Sequence, residues 1–151
     1  MEKDIILRAD DLYQLNLVLT EILDSAQAEL AMIINKSGRL ITWQSETSTY
    51  NTESIAALLT GSFASSGSVA NLIGEKEFES MYQEGTNNHV FISQIDSHNI
   101  LALVFTGRTK LNRVKLGVEN HRNSLRPTLE NIYRGVVNDP FLNLDVSGYT
   151  H

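Results

Sequence analysis

The segment SIAALLTGSFASSGSVANLIG, residues 54–74, contains no Asp, Glu, Lys or Arg, and its reading decides how the rest of the chain is arranged. Its apolar residues recur with a helical period. On a helical wheel at about 100° per residue, Ile55, Leu58, Leu59, Ser62, Ser66, Val69 and Ile73 gather on one side, the side expected to face a core. The opposite side carries Ala57, Gly61, Ala64 and Ser68, with Ser54 and Leu72 beside it. A surface helix ordinarily turns Lys and Glu to water there. Small uncharged residues instead let another backbone come close, so Ala57, Gly61, Ala64, Ser65, Ser68 and Leu72 are the candidate contact residues. Two other placements are weaker. Burial within one monomer needs a further layer over the outer side. A membrane span has the necessary length, but six Ser and Thr, three Gly and one Asn dilute its apolar character, and no basic cluster follows it before Arg108. No membrane insertion is expected.

Around this segment lie 151 residues with ordinary apolar content, enough for one domain with its own core. The net charge of −6 argues against nonspecific binding to nucleic acid or anionic lipid. Cysteine is absent, which excludes disulfides, thiolate catalysis and cysteine-ligated metals. That composition fits a reducing compartment, and a cytoplasmic protein is expected, since the first residues lack the apolar core of a signal peptide.

The remaining elements follow from period and punctuation. Leu12, Leu15, Leu19, Ile22, Leu23 and Ala26 share a face of a helix over about 11–28, with Asp10 and Asp11 as candidate caps. Two short apolar runs, 30–34 and 40–43, flank the turn sequence NKSGR and read as a hairpin. The uncharged helix follows, capped by Asn51 or Thr52. FESMYQ (78–83) is strand-like, and HVFISQI (89–95) and ILALVF (100–105) form a further hairpin across Asp96, Ser97, His98 and Asn99. The last of these runs is apolar throughout and should lie centrally. A final helix begins near Thr109, with Leu111, Val114, Val118, Leu125, Leu129 and Ile132 on one face and Pro127 as a kink or an interruption. Residues 1–134 therefore form one domain. Residues 135–151 are expected to be a flexible tail, dispensable for the fold. The order is α-β-β-α-β-β-β-α, an α/β (α+β) fold with a five-stranded antiparallel sheet and helices on its faces.

The uncharged helix ending in Leu72-Ile73-Gly74-Glu75, then Phe78, Gln83-Glu84-Gly85, the pair HVFISQI and NILALVF, and the junction TKLNRVKL (109–116) together resemble the Roadblock family of dynein-light-chain-like proteins. Within it the chain looks most like the bacterial MglB-type regulators of a Ras-like GTPase. The resemblance spans about 12–129 and rests on the order and spacing of the whole set. It implies a homodimer in which the second helix packs antiparallel on its symmetry mate and the strand containing Met81 pairs with its own copy. A self-complementary, uncharged face agrees with a two-fold contact. The resemblance further implies that a dimer binds one small GTPase and stimulates GTP hydrolysis by reshaping its switch regions, in bacterial polarity or motility control. The catalytic groups would then be the partner's.

The residues themselves offer no active site, so the chain is expected not to be an enzyme. His89, His98, His121 and His151 are the candidate ligands or bases. Asp96-Ser97-His98 reads as turn chemistry and His121 as a core-edge histidine. No metal motif and no Gly-Lys-Ser/Thr phosphate loop occurs, so no metal and no cofactor are expected. Arg108, Lys110, Arg113 and Lys115 form the one basic cluster of an acidic chain. A solvated helix start explains it only in part, because cations there oppose the helix dipole. The other readings are a docking patch for an acidic surface, or pairing with Glu75, Glu77 and Glu79. Leu116 projects away from the helix's core face. Beside a GTPase regulator stand a non-catalytic Roadblock scaffold subunit and a small-molecule sensor domain. The sensor would need convergent polar groups in an apolar lining, and the strands offer only Ser93 and Gln94.

Overall fold

The computed structural model describes residues 5–47 and 49–138. Helix α1 (Ala9–Ala26) is followed by the hairpin β1 (Leu30–Asn35) and β2 (Leu40–Ser45), then by α2 (Thr52–Leu72). Strands β3 (Ser80–Glu84), β4 (Asn88–Gln94) and β5 (Asn99–Thr106) form a meander, and α3 (Leu111–His121) and α4 (Arg126–Asn138) complete the order. All pairings are antiparallel, in the order β2-β1-β5-β4-β3. The expected α-β-β-α-β-β-β-α architecture is present, with the final helix divided in two.

Alternation along the strands splits the core into two layers. Ala31 and Ile33 of β1, Leu101, Leu103 and Phe105 of β5 and Phe91 of β4 face α1, α3 and α4. Leu30, Met32 and Ile34, Ile100, Ala102 and Val104, and Ile92 face α2. Residues 99–105 of β5 are buried without exception, as a central strand covered on both sides requires. Among the described residues, one face thus carries three helices and the other only α2.

Two local expectations are corrected and one pair of alternatives is decided. Arg8, not Asp10 or Asp11, is the N-cap of α1, and the two aspartates occupy its first turn, where a negative charge suits the helix dipole. Of the two alternatives at Pro127, a kink or an interruption, the structure has the interruption. The chain leaves α3 through a single 3-10 turn (Arg122–Ser124), and Pro127 sits in the first turn of α4, where its missing N–H has no partner to lose. Helix α4 then runs to Asn138, past the expected start of the tail, and residues 139–151 lie outside the described residues.

Two contacts fix the C-terminal helices. A Cβ on Gly117 would lie 3.0 Å from the Cα, Cβ and N of Ala26, so α3 crosses α1 with backbone against backbone. Helix α4 is latched by Tyr133, whose hydroxyl accepts from Asn35 Nδ2 and donates to Asn99 Oδ1 at 3.1 Å. Asn99 is held in turn by Asp96, whose Oδ1 also accepts the His98 and Asn99 amides at 2.8 Å, an Asx turn. Burial pushes the Tyr133 phenol above its ordinary pKa, so it keeps the proton it donates. Tyr133→Phe is expected to cost about 1–3 kcal/mol, because it strands buried donor and acceptor groups on Asn35 and Asn99. An unchanged urea midpoint would show that the latch contributes nothing.

Candidate functional site

Helix α2 is set by its own sequence. Asn51 Oδ1 accepts the Ser54 amide at 3.2 Å as an N-cap, and Gly74, at φ +91, turns the chain away after the last helical residue. Its buried residues are Thr52, Ala56, Leu59, Thr60, Phe63 and Ala70. Thr60 is tolerated there because its Oγ1 donates to the Ala56 carbonyl at 2.7 Å. This corrects the expected core face. Leu58, Val69 and Ile73, assigned to the core by period, are 74%, 53% and 65% exposed, while Ser62 and Ser66 are half-buried. The helix is rotated relative to expectation, so that small Ala56 and Ala70 let it lie close to the sheet with Phe63 inserted between.

The outer side keeps the candidate contact residues and gains large ones. Ala57, Gly61, Ala64, Ser65 and Ser68 are all exposed, and Leu72 is 87% exposed. Leu58, Val69, Leu72 and Ile73 therefore present four big apolar side chains on a helix face without charge. Isolated exposed leucines are ordinary, but a row of them on one element is not. Helix α2 is also, among the described residues, the one helix long and apolar enough to cross a membrane by length and composition. Its inner face, however, is packed on the sheet through Leu59 and Phe63. Met81 stands apart from the outer face: it lies on the α2 side of the sheet, paired with Ile92 and half-buried against that core layer. Its strand β3 is one of the two sheet edges, β2 being the other, with one side unpaired among the described residues.

The basic cluster is divided by the fold. Arg108, Lys110 and Arg113 line a groove of about 540 Å³ with Gln27, Glu29, Thr106 and Thr109. Lys115 is not there. It borders a hollow of about 170 Å³ on the other flank of α3, beside Glu79, Glu119 and Arg122. Of the proposed acidic partners, Glu77 instead meets Lys36 at 3.2 Å and Gln94 at 2.8 Å. Those bonds, Gln94's first, hold the Glu77 carboxyl below its ordinary range. Leu116 is 58% exposed, as its place opposite the core face implies. Sequence reading missed Gln27 and Glu29 as groove residues; only their placement just after α1 brings them to the cluster.

The histidines have structural partners. His89 is buried against Phe105 and Tyr82, its Nδ1 accepting the Gly85 amide at 3.2 Å. His121 Nδ1 lies 2.9 Å from the Gly117 carbonyl, which can only accept, so that nitrogen carries the proton. His98 lies in the Asx turn, and His151 is outside the described residues. No group of three or more His, Asp or Glu able to hold a metal occurs among the described residues. A hollow beneath α2, lined by Phe63, Phe78 and Ile100 together with the polar Thr60, Lys36, Lys76 and Glu77, measures about 200 Å³. That is smaller than the roughly 300 Å³ at which small-molecule pockets begin.

Among the described residues, then, three helices cover one face of the sheet, α2 alone lies on the other, and β3 forms one of its two edges. Residues 14–105 match the Roadblock/LC7 domain, and the chain belongs to that family. It is similar to MglB of Myxococcus xanthus, with 30% identity over 78% of this chain and 95% of that one and a TM-score of 0.73. The gliding protein MglB of Thermus thermophilus is 23% identical over 87% of this chain and 99% of that one, with a TM-score of 0.80. An MglB described in a tetrameric arrangement is 22% identical over the same shares, with a TM-score of 0.82. None of the curated protein sequences matches this chain.

Proposed function

We infer that this Roadblock protein is a homodimeric, cytoplasmic regulator of a small Ras-like GTPase, without an active site of its own. The observation that carries the reading is the outer face of α2, where Leu58, Val69, Leu72 and Ile73 are more than half exposed among Gly and Ser and no charge intervenes. Burying four such side chains is worth about 1.5–3 kcal/mol each before the entropy of association is subtracted. Small residues between them allow close helix approach, and the open β3 edge supplies backbone pairing for a second copy. The GTPase and the role in polarity or motility rest on the likeness to MglB proteins, one of them named for gliding. Such a regulator acts by holding the partner's switch segments, so it needs surface and rigidity rather than an acid or base.

The test is GTP hydrolysis by a candidate Ras-like GTPase with and without the protein, beside light scattering of the protein alone. A dimer that accelerates hydrolysis is expected. A dimer that binds the GTPase without changing its rate identifies a scaffold subunit, and a monomer overturns the reading.

A further inference from the structure

We propose that the groove between the C-terminus of α1 and the β5–α3 connection is a second docking site, which takes an extended acidic peptide segment of a partner protein. Its cations are Arg108, Lys110 and Arg113, gathered on one hollow of about 540 Å³ in a chain whose net charge is −6. They lie beyond the part of the chain that matches the Roadblock/LC7 domain, residues 14–105.

The three cations do different work. Arg113 serves the fold, because its Nε donates to the Ser25 carbonyl at 3.2 Å and places a positive charge at the end of α1, whose own last turn has none. Arg108 and Lys110 have no such role. Both are exposed, and neither is paired with a carboxylate among the described residues. Lys110 is the N-cap of α3, it makes no capping bond, and no acid occupies the first turn. A cation in that place opposes the dipole and repels its two neighbours, so it lowers the stability of the empty protein. An anionic occupant removes that penalty.

The groove is held ready for one. Thr109 Oγ1 donates to the Gln27 carbonyl at 2.9 Å, and the Gly107 amide donates to Asn87 at 3.2 Å, so the connection is tied to α1 on one side and to the β3–β4 turn on the other. Little ordering remains to be done on binding. Glu29 in the same lining selects the kind of anion. A dense polyanion such as a polyphosphate meets its repulsion, whereas a peptide can set carboxylates on Arg108 and Lys110 and an amide donor on Glu29.

The experiment uses the full chain at physiological ionic strength, with a fluorescein-labelled peptide of alternating glutamate and asparagine and with tripolyphosphate as the rival anion. The peptide is expected to bind and to raise the unfolding temperature. Lys110→Asp places a good capping residue on a backbone already extended, at φ −84 and ψ 147. The variant should melt about 3 °C higher than the parent and bind the peptide about tenfold more weakly. Lys76→Glu, the same charge change in the connection on the α2 side, should leave binding unchanged. The proposal is overturned if Lys110→Asp binds as well as the parent, if Lys76→Glu loses as much, or if tripolyphosphate binds more tightly than the peptide. No GTPase enters the measurement, so this site and the regulatory reading stand or fall separately.

Discussion

Gly117→Val is expected to destabilise the domain by about 3 kcal/mol or more. An exposed helical glycine replaced by alanine gains about 1 kcal/mol from propensity alone. At Gly117 that gain competes with contact. A Cβ would sit 3.0 Å from the Cα and N of Ala26 as well as from its Cβ, and backbone inside a helix cannot swing aside as a side-chain tip can. Valine adds two methyl groups at the same place and drives α3 off α1. Separation would loosen Val114 and Val118, both buried, and the Arg113 bond to Ser25. Urea unfolding of the parent, Gly117→Ala and Gly117→Val should give midpoints falling in that order. An alanine variant more stable than the parent would show that the crossing yields easily and that the close approach is not a constraint.

Gly117 also shows which parts of the molecule sequence reading reaches. A glycine inside an amphipathic run looks like a mild flaw, and nothing local reveals that another helix touches it. The strands were legible because their cues are local: ILALVF is apolar throughout and lies centrally, and the Asp96–Asn99 turn closes through Asp96 as its residue types suggest. The phase of α2 was not. Helix phase is read from the contrast between an apolar and a charged side, and residues 54–74 have no charge to supply it. Periodicity then assigns Leu58, Val69 and Ile73 to the core by default, whereas Thr60 and two alanines lie beneath the helix and those three lie outside with Leu72. Large apolar residues lie both beneath the helix and on its exposed side, and the pattern averages the two faces into one. The basic cluster was visible as a run, but its separation of Lys115 from Arg108, Lys110 and Arg113 depends on where α3 meets α1.

Because the outer face of α2 is uncharged and exposed among the described residues, Ser65→Arg should leave the monomer folded and abolish the self-association proposed above. Ser65 is exposed, and it lies on the same side of the helix as Gly61, Leu58 and Leu72. Arginine is a good helix former and has room there, so the monomer should change by no more than about 0.5 kcal/mol. At a two-fold contact the substitution enters twice. It forces two guanidinium groups into an apolar, desolvated seam with no carboxylate to receive either. A loss of about 3–5 kcal/mol from association, several hundredfold in the dimer constant, is expected. Ala64→Arg, at the margin of the same face and beside the hollow under α2, should act in the same direction with a smaller effect. Glu119→Arg on α3 makes the same kind of change outside this face and should leave the dimer intact. Sedimentation across micromolar concentrations separates the cases, with the melting temperature reporting the fold. If Ser65→Arg remains a dimer, the two copies meet elsewhere, and the open edge of β3 becomes the surface to mutate. If it is monomeric and has also lost its effect on GTP hydrolysis, then dimerisation is what assembles the GTPase-binding surface, and the exposed leucines of α2 act through the pair rather than singly.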